Sequence, residues 1–472
     1  MMNTKHWYKP KAYIHFSPSF NRRDYDFVES YVSKEINIIK HGFFPLINKV
    51  VTEKRYKKLK NENEETIRSH YDYVNKKSTA KERQIYYANH LDSYIYAYYA
   101  REIVGKKYEE VINSNPSLHL SVCAYRFIET KPGSNRGKSN AHFAKEVFDY
   151  ISSNPSCAVL CFDIEKFFDS LDHNYLKKMW CKAIGEKLLP LDQYKIYKFL
   201  TNFTYVEESD LLKEYNHHII PRSILKQHRQ DNNFVCYCPE KKDFKNKIIG
   251  RNNYKNKSLI KFHPFKDTQG KLKGIPQGTA ISALLANIYM LDFDNKINAK
   301  LATLEGIYRR YSDDIIIVTS LENKNEILEF VNREIEINKL SFNDKTEIVE
   351  FIDGKPINSN LKYLGFEFNG NSALIKSSSL AKYYRKVKRH IKIKALKAYY
   401  LQKKKQTIHT QIYRKNLYIK YSHLGKRNYI NYAYKSSYIL QSKAIRLQIR
   451  NHWKNIHLHM NKWENKLRIP KY

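Results

Sequence analysis

The run Tyr308-Arg-Arg-Tyr311-Ser312-Asp313-Asp314-Ile-Ile-Ile-Val318 sets two adjacent acids between stretches of aromatic and β-branched residues. This pattern predicts a strand–turn–strand over 306–319 with both carboxylates at its tip. Adjacent carboxylates repel and are costly to keep ionised unless a cation lies beside them. Taken alone, the pair is better explained as an ordinary polar turn.

Two further segments change that balance. Ala158-Val-Leu-Cys-Phe-Asp163-Ile164-Glu-Lys-Phe-Phe168 reads as a buried strand ending in an acid, where a carboxylate can face a metal without being buried unpaired. Gly274-Ile-Pro276-Gln277-Gly278-Thr-Ala-Ile-Ser282 reads as a fixed turn running into a helix over 279–292. Gly278 lacks a side chain, so Gln277 and the neighbouring backbone can approach a substrate closely. Each segment alone is a weak signal. Together they offer carboxylates from separate strands, which two-metal phosphoryl transfer needs to hold two Mg²⁺ ions roughly 3.5–4 Å apart. Mg²⁺ takes hard oxygen ligands and keeps positions for phosphate oxygens.

In order and residue type these segments resemble the right-hand palm of reverse transcriptases. Two more motifs follow in sequence, Leu340-Ser-Phe-Asn-Asp-Lys345-Thr-Glu347 and Leu361-Lys-Tyr363-Leu364-Gly365-Phe366. The resemblance implies an α+β right-hand polymerase. It divides the chain into an N-terminal extension (1–50), fingers (51–155), a palm (156–370) with an insertion near 205–265, and a basic helical thumb or C-terminal region (375–472). It implies an RNA-directed DNA polymerase that uses dNTPs, an RNA template and two Mg²⁺, with Mn²⁺ as a substitute, and makes a DNA product. By the same resemblance Asp163 and Asp313 bind both metals, Asp314 assists, and the Ile164 carbonyl is a further ligand. Phe168 matches the aromatic gate against a ribose 2′-hydroxyl; the alternative is core packing, a role that suits Phe167 better. Gln277 and Gly278 would face the incoming nucleotide, Lys345 its triphosphate, and Tyr363, Leu364 and Gly365 the primer. Arg126, Arg136 and Lys138 flank a fingers loop and are candidates to clamp the triphosphate, with solvated charge as the alternative for each.

The stretches His90-Leu-Asp-Ser-Tyr-Ile-Tyr96, Tyr108-Glu-Glu110, Ala124-Tyr-Arg126, Gly137-Lys-Ser-Asn140, Phe143-Ala-Lys-Glu-Val-Phe148 and Tyr421-Ser-His-Leu-Gly-Lys-Arg-Asn-Tyr429 resemble bacterial defence-associated and abortive-infection reverse transcriptases. That likeness implies antiphage defence with a cognate non-coding RNA. Alternatives stay open: a retron or group II intron-type enzyme of a mobile element, a template-independent or protein-primed polymerase, or an RNA-binding scaffold with an idle site. The tail holds too few acids for an RNase H module, and no cysteine follows Cys238 to build a Cys-bound zinc nuclease.

Composition points the same way. The 472 residues carry 84 Lys and Arg against 47 Asp and Glu, a net charge of +37, which calls for a polyanionic partner. From Lys376 to Tyr472 there are 26 Lys and Arg and one acid, Glu464. A solvated helix face interleaves both signs, whereas one sign over such a length suits phosphates. Lys403, Lys404, Lys405, Lys426 and Arg427 are the candidate nucleic-acid contacts there. No apolar run approaches a membrane span, and MMNTKHWYKP has no apolar stretch of the secretory kind, so the expected setting is cytoplasmic, without membrane contact. The six cysteines suggest no disulfide framework; Cys236 and Cys238 near His217, His218 and His228 fit no standard zinc spacing. A homo-oligomer is compatible with all of this. Periodicity predicts helix from about 51 to 115, a strand over 121–129, helix over 141–151, helix over 323–338, strands over 346–351 and 361–368, and a mostly helical tail.

Overall fold

The computed structural model describes residues 7–53, 57–60, 65–69, 71–73, 75–215, 220, 222–231, 235–250, 257–343, 346–404 and 411–469. The apolar run Cys157–Asp163 forms the middle strand of a five-stranded antiparallel sheet. On one side lie Asp314–Thr319 and then Ile307–Tyr311; on the other lie Glu347–Ile352 and the short Lys355–Pro356. Side chains alternate across a strand, so this sheet feeds two cores. Leu160, Phe162, Ile315 and Ile317 pack among Met179, Leu285, Ile297 and Val331 of the helices on one face. Val159, Ile316, Val318 and Phe351 pack on the other face against Val147 and Phe148 of helix Asn140–Ser153 and against the C-terminal helices.

A three-stranded sheet (Leu361–Tyr363, Phe366–Phe368, Ala373–Ile375) bridges the second core to the tail. The tail itself is helical: Ser377–Lys403, Lys415–Tyr421, Tyr429–Ile439, Lys443–Ile449 and His452–Leu467. In the longest of these, Tyr383, Val387, Ile391, Ala395 and Ala398 recur at three- and four-residue steps and are buried, as an amphipathic helix requires. Among the described residues no helix is long and apolar enough to cross a membrane.

A second sheet stands at the N-terminal side. Leu46–Glu53 pairs antiparallel with Lys81–Tyr87 and parallel with Thr204–Glu207, which pairs in turn with Lys261–Phe262. The polar segment 205–265 therefore begins and ends in this sheet. Of its described residues, Leu211, Tyr237 and Ile248 join Phe16 and Ile47 in a small core, which the polar composition does not predict.

The fold is α+β, as the sequence implies, but two local expectations are corrected. Within 51–115 helix begins at His90, not near residue 51, because Leu46–Glu53 and Lys81–Tyr87 are strands. The strand expected over 121–129 does not form. Asn115 caps a helix Pro116–Ser121, and Tyr125 adopts a left-handed conformation (φ 63°) that interrupts an extended run. Only isolated bridges remain, Val122 to Arg310 and Glu129 to Gly137.

Candidate active site

The sheet register brings the acids together. Asp314 is the cross-strand partner of Asp163, and Tyr311 is the partner of Asp314 across the hairpin. Ser312 turns the chain in a left-handed conformation (φ 62°). The Ile164 amide donates to the Asp313 carbonyl (3.2 Å), tying the hairpin tip to the end of the middle strand. Asn343 secures that end from the other side. Its amide donates to the Asp163 carbonyl (2.9 Å), and its side-chain Nδ2 donates to Asp163 Oδ2 (2.6 Å).

This concentration of negative charge has an electrostatic signature. Burial and then the charges of Asp313 and Asp163 push the Asp314 carboxyl up to about 6, against the opposing pull of Lys376 and Lys81. A cation beside Asp314 would relieve that penalty. The donors are hard oxygens, which suits Mg²⁺ or Mn²⁺. Among the described residues no three His, Cys, Asp or Glu are arranged to hold an ion by themselves. Mg²⁺ is commonly bound by one or two carboxylates with water and phosphate oxygens completing its shell, so the residues fit a cation that arrives with a phosphate-bearing substrate.

Directly behind the hairpin lies a second, different carboxylate. Asp294 and Arg310 are both fully buried and pair in a fork, with Arg310 Nε and Nη2 donating to Asp294 Oδ1 (2.8 Å) and Oδ2 (2.6 Å). Arg310 Nη1 also donates to Asn287 Oδ1 (3.0 Å) and to the Ser312 carbonyl (3.3 Å), inside the turn that carries the exposed acids. The Tyr308 hydroxyl donates to Asp294 as well.

The turn 274–278 is stitched to the segment after Asp163. Gly274 and Ile275 amides donate to the carbonyls of Leu171 (2.7 Å) and Phe168 (2.8 Å). A side chain on Gly274 would collide with the Asp169 backbone at 2.5 Å. At Gly278 (φ 123°) a Cβ would lie 2.6 Å from the Tyr86 carbonyl, so the strand Lys81–Tyr87 seats on this turn only because it is glycine. The Tyr86 amide donates to the Gln277 carbonyl (2.8 Å). His173 and His263 were not singled out by sequence, yet both place Nε2 on the Gly274 carbonyl, at 2.7 and 3.2 Å. For His263 the Phe265 amide donates to Nδ1, which leaves Nε2 as the donor. Phe168 is half-buried and its ring meets that of Phe167, which is buried in the core.

The remaining candidates fall in separate places. Tyr363 is buried with its hydroxyl unpartnered, and Leu364 and Gly365 (φ 44° and 92°) form the turn after it. The Lys376 amide donates to the Gly365 carbonyl (3.0 Å). Arg126 is built into the fold rather than free for a phosphate: its side chain is 2% exposed, it pairs with both oxygens of Glu109, and it donates to the His119 and Val122 carbonyls. Lys138 pairs with Glu146 (2.6 Å), which also accepts from Arg309. Arg136 is exposed in its loop, and Lys345 lies outside the described residues. In the tail, Lys403 sits over the Tyr399 ring (5.0 Å to its centre), Lys426 and Arg427 are exposed, and Lys405 lies outside the described residues. The tail's one acid, Glu464, is 1% exposed and accepts from Arg414 (2.8 Å), so the tail's surface is free of acids. Cys238 is buried against the Tyr215 hydroxyl (3.2 Å), and His217 and His218 lie outside the described residues.

Residues 203–368 match the family described as reverse transcriptase (RNA-dependent DNA polymerase). No curated protein matches the chain. Among solved structures, the telomerase of Candida albicans in complex with a fragment of telomeric RNA aligns at 12% identity over 95% of this chain and 67% of that one, with a TM-score of 0.40. The apo telomerase of Candida tropicalis aligns at 12% identity over 93% and 64%, with a TM-score of 0.39. A form of it truncated from the C-terminal domain aligns at 13% identity over 76% and 61%, with a TM-score of 0.40. The family match covers the hairpin acids and the glycine turn but begins after Asp163, which the sheet register sets opposite Asp314. Residues 203–368, a minority of the 472, are thus similar to the reverse transcriptase domain.

Proposed function

We propose that this chain copies an RNA template into DNA with dNTPs, using two divalent cations, Mg²⁺ or Mn²⁺, held at Asp163, Asp313 and Asp314. The observation that carries this reading is the cross-strand pairing of Asp163 with Asp314, with Asp313 beside them and Asp314 pushed up to about 6. Bound there, such cations activate a primer 3′-hydroxyl and steady the pyrophosphate leaving group. Asn343 orients Asp163, and the Arg310 fork holds the turn that presents Asp313 and Asp314. Gln277 and Gly278 line the approach of the nucleotide, and Phe168 excludes a ribose 2′-hydroxyl from the position next to Asp163. Primer extension on an RNA template tests the reading: it requires a divalent cation and is lost on Asp313→Ala. A near-native rate in that variant would remove the site. For Phe168→Ala the expected outcome is a ribonucleotide preference raised by roughly tenfold or more in single-nucleotide kinetics, the scale of losing one shape-selective contact.

The same reading extends to antiphage defence in the bacterial cytoplasm with a cognate non-coding RNA. Its support is the likeness of the 90–148 and 421–429 motifs to defence-associated enzymes, together with a tail surface free of acids that suits a structured RNA. A plaque assay compares the native locus, an Asp313→Ala locus and a locus without flanking non-coding sequence. Protection by the native locus alone is expected; equal titres in all three would remove the defence role.

A further inference from the structure

A groove of about 540 Å³ lies between helix Asn140–Ser153 and the tail helices Tyr429–Ile439 and Lys443–Ile449. No residue of the five-stranded sheet lines it. Its wall presents Tyr438, Lys443, Arg446, Gln441, His142 and Lys145, and no carboxylate. Lys145 is already paired with Asp149 (2.7 Å). Lys443 and Arg446 form no ion pair among the described residues. Tyr438 is 78% exposed, more than any other large apolar or aromatic side chain described. A phenol ring costs free energy to leave in water, and this one has no packing partner to explain it.

The link that carries these groups is fixed. The Ser437 hydroxyl donates to the Ser442 carbonyl (2.7 Å), and the Ser442 hydroxyl donates to the Ala373 carbonyl of the three-stranded sheet (2.6 Å). Gln441 turns the chain in a left-handed conformation (φ 52°). The backbone that carries the ring and the two cations is thus fixed before any ligand arrives, which lowers the ordering cost of binding.

We propose that this groove is a docking site for a single-stranded nucleic-acid segment, with an unpaired base stacked on Tyr438 and phosphates on Lys443 and Arg446. A flat exposed ring beside unpaired cations is the combination by which single strands are held without sequence reading. A duplex offers no free base face to the ring, so the partner is an unpaired stretch. An acidic peptide would satisfy the cations but would leave the ring without a stacking partner. The inference rests on the polymerase reading only in supposing that a template–primer duplex occupies the carboxylate site, so that this strand is an additional one.

The test uses the full-length chain preloaded with a hairpin template–primer, and follows binding of labelled oligo(rU) or oligo(dT) by fluorescence anisotropy. The preloaded native protein is expected to bind the oligonucleotide. Tyr438→Ala should weaken binding by roughly tenfold, the scale of losing one stacked base. Lys443→Gln with Arg446→Gln should make the log–log salt slope shallower by about 1.4, two single-strand phosphates. Extension of the preloaded hairpin should be unchanged in all variants. The two oligonucleotides separate an RNA partner from a DNA one. Absence of binding after preloading, native affinity and slope in the variants, or equal displacement by poly-glutamate would overturn the proposal. If the native protein failed to extend the hairpin, the polymerase reading would fall while the anisotropy still judged the groove.

Discussion

The hairpin Ile307–Thr319 treats carboxylates in two opposite ways. At its base Asp294 is sealed from water and neutralised by the Arg310 fork, with Tyr308 completing the set. At its tip Asp314 faces two more acids and no paired cation, and its carboxyl is pushed up to about 6. The first arrangement is complete in itself, so its role is to fix shape. The second shows no ion pair to Asp314 among the described residues, and a divalent cation would complete it. Within one hairpin, the acid behind it is closed by an arginine, while Asp314 at the tip has only the more distant pull of Lys376 and Lys81.

Breaking the incomplete side should have the largest effect. Asp163→Ala or Asp313→Ala is expected to lower primer extension by on the order of 10³-fold, at least the scale of removing one preorganised catalytic group. The fold should survive, because these side chains make polar contacts, such as that of Asp163 with Asn343, and are not part of either apolar core. Single-turnover extension with thermal unfolding as a control measures both, and a variant that unfolds would contradict the comparison.

The complete side should respond in stability. Arg310→Met leaves Asp294 buried and unpaired, at a cost of about 3–5 kcal/mol. Removing both charges, as Asp294→Leu with Arg310→Met, should recover most of it. Denaturant titration decides, and equal losses in the single and double variants would mean that the pair is not what holds this region. The double variant should still polymerise poorly, since the Ser312 carbonyl loses its donor.

A smaller effect sharpens the contrast. The folded-state value of Asp314 is raised above the unfolded one, so its contribution to stability is fully present below about pH 4 and is lost as pH rises through about 6. Asp314→Asn should therefore raise the apo protein's Tm at pH 7.5 by roughly 2 °C, with the gain vanishing toward pH 4. A gain that did not shrink on acidification would assign the effect to packing. The smallest effect belongs to the tail, where Lys403→Gln with Lys404→Gln should flatten the salt slope of duplex binding by at most about 1.8.

How much of this was legible in the sequence differs by element. The sheet could be read because apolar runs end in acids, and the register follows once Asp163 and Asp313–Asp314 are both assigned to strand ends. Arg310 could not be read as charge, since Arg309 and Arg310 look alike. Strand alternation held the clue, because it puts Arg310 on the side of buried Tyr308 and leaves Arg309 on the other. The strands before His90 were hidden by Lys, Glu and Tyr residues with no clean alternation, and it is pairing with Leu46–Glu53 that makes Lys81–Tyr87 extended. His173 and His263 converge on one carbonyl from positions 90 residues apart, which no local pattern signals.

The burial of Glu464 has a consequence for how the molecule responds to acid. With that carboxylate closed against Arg414, the tail surface has no group to switch its charge off between roughly pH 4 and 10, and its histidines only add positive charge as pH falls. Asp314, in contrast, takes up a proton near pH 6. On the proposed reading, holding and copying would have separate pH limits. Acidification toward pH 6 should then slow primer extension before it weakens strand binding by the tail.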